Sequence, residues 1–142
     1  SIRRRQRQMC IRDSKSTFQC RVYYEDTDLA GIVYYANYLK FIERARSEWV
    51  RNLGLDQNVL RKDHGIVFAV RKVEADYLKS AKFDELLLIS TELQKKTRVR
   101  LNFSQEIYRD SDLIFRANLV IVPLSVAGGL VKLPKIIFDK FM

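Results

Sequence analysis

The sequence predicts an α+β domain in which an antiparallel sheet of about five strands lies against one long helix. Three observations carry that class. Residues 37–53 repeat large apolar side chains at three- and four-residue spacing, five other stretches alternate or run apolar at strand length, and the connections between the last three strands are turn-sized. Connections that short cannot hold a crossover helix, so those neighbours must run antiparallel.

Residues 1–15 show no periodicity and few large apolar groups, and are expected to be a disordered basic tail outside the fold. Residues 4–13 also resemble a translated sequencing adapter, in which case their charge carries no biological meaning. The domain is expected over 16–142. Its first strand, 17–25, places Phe18, Cys20, Val22 and Tyr24 on one face and Gln19, Arg21, Tyr23 and Glu25 on the other. The long helix follows, with Tyr38, Leu39, Phe41, Ile42, Ala45, Trp49 and Leu53 as its apolar stripe, Asn37 as N-cap and Gly54 as C′ residue. A short helix capped by Asp56 ends at His64-Gly65. Strands are then expected at 66–77, 85–95, 98–108 and 113–123, with turns at Lys96-Thr97 and Asp110-Ser111-Asp112. The third of these turns Val99, Leu101, Phe103 and Ile107 inward. Pro134 precedes a short helical tail carrying Ile136, Ile137, Phe138 and Phe141.

Composition excludes several functions. A chain of 142 residues can bury roughly 70% of its unfolded surface, so neither metals nor disulfides are needed to hold it. The two cysteines, Cys10 and Cys20, form no disulfide framework or metal-ligand spacing, which points to a cytoplasmic setting. No apolar run reaches membrane-span length, and no apolar segment follows the leading arginines as an export signal would require. The net charge is +9, but residues 1–15 hold six Arg or Lys against one Asp, leaving only +4 elsewhere. That remainder suits an anionic small molecule as well as a phosphate backbone, and nucleic acid is not the expected partner.

The chemistry concentrates between the first strand and the long helix. There Glu25, Asp26, Asp28 and Gly31 crowd against a helix start, which offers unpaired N–H groups at a positive dipole end. Asp28 is suited to act as a nucleophile or a general base, or simply to shape the loop as an Asx-turn residue. Asp26 is expected to organise the loop. Gly31 suits a positive φ or a close approach. His64, the only histidine, reads as a capping or surface residue.

The run Tyr23-Tyr24-Glu25-Asp26-Thr27-Asp28, then Gly31-Ile32-Val33-Tyr34-Tyr35-Ala36-Asn37-Tyr38 and Glu43-Arg44-Ala45-Arg46, resembles the hotdog-fold acyl-CoA thioesterases of the YbgC and 4-hydroxybenzoyl-CoA thioesterase type. Phe68-Ala69-Val70-Arg71-Lys72 and Leu133-Pro134-Lys135 match further landmarks. The resemblance implies a curved antiparallel sheet wrapped around the helix, a homodimer or tetramer with sites between protomers, and hydrolysis of an acyl-CoA without metal or cofactor. It assigns the catalytic carboxylate to Asp28 and the backbone oxyanion donor to Tyr35. Gly31, Ile32, Val33, Glu43 and Lys72 are carried over as substrate-binding positions. YbgC-type members often have histidine where this chain has Tyr35, and the 4-hydroxybenzoyl type has tyrosine; that difference bears on acyl preference. Lys79, Lys82, Arg98 and Arg100 are weaker candidates for the CoA phosphates. The main alternative is a non-catalytic module that binds an acyl group or acyl carrier protein. A hydratase of this fold would need a histidine working with an acid, for which His64 is poorly placed.

Overall fold

The computed structural model describes residues 15–141. The predicted basic tail lies outside the described residues apart from Lys15, which opens the first strand. The elements are β1 (Lys15–Arg21), a 3-10 turn (Tyr24–Asp26), α1 (Asn37–Asn52), α2 (Gln57–His64), β2 (Ile66–Tyr77), β3 (Leu86–Thr97), β4 (Arg100–Arg109), β5 (Asp112–Ser125) and α3 (Lys135–Phe138). All pairings are antiparallel and the strand order is β1-β3-β4-β5-β2. The curved five-stranded sheet with one long helix against it is the expected hotdog arrangement. Among the described residues no helix is long and apolar enough to cross a membrane.

Helix α1 buries Tyr38, Phe41, Ile42, Ala45, Trp49 and Val50 against the sheet. The sheet answers with Leu101, Phe103, Gln105 and Ile107 of β4, which alternate inward as a pleated strand requires. Trp49 meets Phe103 edge-on at 5.1 Å between centroids, and Tyr38 stacks on Phe115 at 5.3 Å. The Tyr38 hydroxyl also accepts the N–H of fully buried Ala81 at 3.0 Å. Tyr38→Phe leaves that N–H without a partner while keeping the ring. It is expected to cost about 1–3 kcal/mol, read as a lower urea midpoint at unchanged slope.

Three local expectations are corrected. The first strand stops at Arg21, because the Asp26 carboxylate takes the Tyr23 N–H at 2.8 Å and curls Tyr24–Asp26 into a 3-10 turn. The β3–β4 turn falls at Arg98-Val99, not Lys96-Thr97, so Val99 sits at the hairpin tip and is 51% exposed. Asn37 is not the N-cap: Ala36 occupies that position without a side-chain bond, and the Asn37 amide instead donates to the Asp26 carbonyl at 2.9 Å. A side chain able to cap locally is thereby used to tie the helix to the loop. Asp56 does cap α2, accepting from Asn58 and Val59 N–H groups.

Candidate active site at the start of the long helix

The segment between β1 and α1 is held against the chain that follows β2. Val33 N–H donates to the Ala81 carbonyl at 2.9 Å, and isolated bridges join Ile32 to Lys82 and Thr27 to Val33. Within the loop, Asp28 N–H donates to the Ile32 carbonyl and Gly31 N–H to the Asp28 carbonyl, both at 2.9 Å. That tight return places Gly31 at φ +80, where a side chain is strained. A Cβ built there would meet no atom within 4 Å, so the need for glycine is conformational and not one of space.

Asp28 is partly exposed, and its Oδ1 accepts the Ala30 N–H at 2.9 Å. This is the Asx-turn role anticipated for it. Among the described residues its other oxygen has no donor. Nearby, the two peptide planes flanking Tyr35 are pinned: the Tyr34 carbonyl accepts from Asn37 N–H at 2.9 Å, and the Tyr35 carbonyl accepts from the Tyr77 hydroxyl at 3.1 Å. The N–H of Tyr35 has no acceptor among the described residues. An orphan donor at a helix start attracts an anion or a polarised carbonyl oxygen. Burial, with the neighbouring Tyr35 and Tyr38 hydroxyls, holds the Tyr77 hydroxyl above the usual phenol range, so it remains a proton donor at neutral pH.

The remaining predicted residues are spread out. Ile32 is half-buried beside Lys82, whereas the Val33 side chain lies in the core at 2% exposure. Glu43 is exposed and accepts from the Ser47 hydroxyl at 2.8 Å. Lys72 lies on β2 in a surface pair with Glu74 at 2.8 Å, and Lys79 is paired with Asp112 at 3.6 Å. The Arg98 side chain donates to the Leu133 carbonyl at 2.7 Å, anchoring the C-terminal segment. Arg98 lies in the β3–β4 turn and Arg100 opens β4 beside it, and His64 precedes the start of β2. The Asp28 loop sits beyond the opposite end of β2, which at 12 residues is roughly 36 Å long.

One cluster was not anticipated. A cavity of about 180 Å³ opens between α1 and the sheet, lined by Glu43, Arg46, Val50, Phe68, Leu101 and Phe141 among others. Arg46 reaches in from α1 and donates to Gln105 Oε1 at 2.9 Å. Fully buried Gln105 is itself locked by donating to the Ile42 carbonyl at 2.9 Å and the Thr91 hydroxyl at 2.8 Å. Burial lowers the Arg46 pKa, with the Glu43 carboxylate opposing. A signal existed for Gln105, which holds an inward register position between Phe103 and Ile107. None separated Arg46 from its solvated helical neighbours.

Comparison with known proteins resolves what such a loop belongs to. Residues 30–115 match the family model of the thioesterase superfamily, an interval that includes Gly31, Tyr35, Glu43 and Lys72 and begins two residues after Asp28. The chain belongs to the thioesterase superfamily. This thioesterase is 38% identical to the acyl-CoA thioesterase YbgC of Haemophilus influenzae over 75% of the chain and 79% of that protein. It is also 38% identical to the acyl-CoA thioester hydrolase YbgC of Escherichia coli, over 85% of the chain and 91% of that protein. Its fold superposes on 4-hydroxybenzoyl-CoA thioesterase of a Pseudomonas species with a TM-score of 0.83, covering 89% and 98% of the two chains at 24% identity. The expected affiliation is therefore the observed one, and the thioesterase is a YbgC-like thioester hydrolase.

Proposed function

We propose that this domain, 16–142, hydrolyses an acyl-CoA to the free acid and CoA, with Asp28 as nucleophile or general base and the Tyr35 N–H as oxyanion donor. The observation that carries this reading is one loop presenting both a carboxylate oxygen without a donor and a helix-start N–H without an acceptor. As general base, Asp28 removes a proton from water as its oxygen attacks the thioester carbon. As nucleophile, it attacks that carbon directly, and water then opens the mixed anhydride. In either route the carbonyl electron pair moves onto oxygen facing the Tyr35 N–H, and the C–S bond breaks to release CoA thiolate. One preorganised donor of this kind typically contributes ~3 kcal/mol to the transition state.

The quaternary reading rests on β2. Its far edge pairs with no strand among the described residues, and Val70 and Val73 along it are 47% and 39% exposed. An open apolar edge is a template for a second copy. A homodimer through β2, with further pairing to a tetramer, fits that edge. Ile32, Glu43 and Lys72 are the positions offered to substrate, Ile32 from the loop that Gly31 shapes, Glu43 from α1 and Lys72 from β2.

The test is release of free thiol from short, long and aromatic acyl-CoAs by the purified protein. Turnover of at least one of them is expected. A protein that releases no thiol yet retains acyl carrier protein would instead be the binding module.

A further inference from the structure

Tyr77 is drawn to the reaction centre by a bond that the helix itself does not make. In a regular α-helix the Tyr35 carbonyl would accept the N–H of Leu39, four residues on. Here the Leu39 N–H donates to the Ala36 carbonyl at 3.2 Å and the Asn37 N–H to the Tyr34 carbonyl at 2.9 Å, so the entry to α1 is wound by two tight bonds of 3-10 type. The Tyr35 carbonyl is left out of that ladder. Among the described residues the donor it meets is the Tyr77 hydroxyl at 3.1 Å, and since a carbonyl only accepts, the hydroxyl proton lies on this bond.

The hydroxyl is held more firmly than the turn it meets. Tyr77 closes β2, where it pairs with Phe115 of β5, and its ring stands edge-on to Phe115, Tyr38 and Tyr35 at 5.2, 5.5 and 6.2 Å between centroids. The chain leaving it is anchored as well, because the Leu78 and Lys79 N–H groups both donate to the Ile114 carbonyl, at 2.9 and 3.1 Å. By contrast, Tyr34 and Tyr35 are 47% and 60% exposed, so hydrogen bonds more than burial set the shape of their turn. The Asn37 N–H fixes the peptide plane before Tyr35, and Tyr77 fixes the plane after it. With the Tyr77 bond removed, the regular helical donor for the Tyr35 carbonyl is the Leu39 N–H. Taking it rewinds the first turn from the 3-10 to the α form and turns the Tyr35 N–H from its present direction.

We propose that Tyr77 is a positioning residue for thioester hydrolysis: its hydroxyl holds the first turn of α1 in the tight form that aims the Tyr35 N–H at the thioester carbonyl oxygen. It acts through the Tyr35–Ala36 peptide and not on the thioester itself. The assignment rests on the acyl-CoA hydrolysis proposed above, with the Tyr35 N–H as oxyanion donor, and adds the residue that sets that donor's direction.

Tyr77→Phe tests this, because it removes the hydroxyl and keeps the ring with its three aromatic contacts. On an acyl-CoA that the wild type hydrolyses, kcat is expected to fall about tenfold, a part of the roughly 10²–10³-fold that loss of a whole oxyanion donor costs, with KM within about twofold of the wild type. The melting temperature should stay within about 3 °C. The second readout is the infrared stretch of a 13C-labelled thioester carbonyl in the acyl-CoA bound to Asp28→Asn, where hydrolysis is slow. A donated N–H lowers that frequency, so binding should shift the band down, and the double variant carrying Tyr77→Phe and Asp28→Asn should give back much of the shift. A merely structural role would lower the melting temperature, or kcat through a smaller active fraction, and leave the band where Asp28→Asn puts it; that result would overturn the proposal. So would Tyr77→Phe turning over at the wild-type rate while Asp28→Asn is inactive, the reading of the reaction centre then standing. If the wild type hydrolyses no acyl-CoA, short, long or aromatic, that reading falls and the role of Tyr77 with it.

Discussion

Asp28→Asn is expected to lower kcat about 10³-fold, within the range of roughly 10²–10⁴ attributed to a positioned general base. The substitution is chosen because it separates chemistry from shape. The Ala30 N–H is accepted by Asp28 Oδ1, and an asparagine side-chain oxygen at the same place accepts it equally well. The loop should therefore hold, with stability changed by no more than about 0.5 kcal/mol. What is lost is the second oxygen, which no described donor occupies, and with it both nucleophilicity and basicity. Thiol release by the pure variant, beside a urea melt of the same sample, decides the matter. A variant that unfolds like the wild type yet keeps more than about a tenth of its turnover would reduce Asp28 to its Asx-turn role.

The second large effect falls on stability. Phe41→Ala is expected to cost about 3–5 kcal/mol, because the side chain has no exposure and its removal leaves a cavity between helix and sheet. Phe41 packs edge-on against Tyr38 at 6.1 Å between centroids, and Tyr38 in turn stacks on Phe115 of β5. The surrounding rings are anchored on both elements and can close the space only in part. At roughly 3 °C per kcal/mol for a chain of this size, the melting temperature should drop by about 10–15 °C. A fall of only two or three degrees, measured by scanning calorimetry, would show that the layer above β5 repacks freely.

These two positions differ in how they could be read. Phe41 stands in the helical period, and its burial follows from the pattern of residues 37–53 alone. Asp28 carried two meanings in the sequence, turn former and carboxylate catalyst, and the structure shows that the first occupies only one of its oxygens. Both remain compatible because a carboxylate has two acceptor atoms.

The elements and their class were legible in the sequence because they depend on period. A 3.6-residue repeat allows one helix face to be apolar, a two-residue repeat allows one sheet face, and turn-sized gaps leave antiparallel pairing as the solution. Asp56 and the His64-Gly65 ending followed from local chemistry for the same reason. The sequence motif around Asp28, Gly31 and Tyr35 was likewise enough to place the chain in its family. Tertiary structure decided what local pattern cannot express. Asn37 caps nothing, because the Asp26 carbonyl, 11 residues away in sequence, takes its amide donor. Tyr77, 42 residues from Tyr35, holds the Tyr35 carbonyl, and Arg46 turns inward because Gln105, 59 residues away, offers a fixed acceptor. Each of these is a hydrogen bond between groups 11 to 59 residues apart that the fold brings together, and no spacing within either segment encodes its partner.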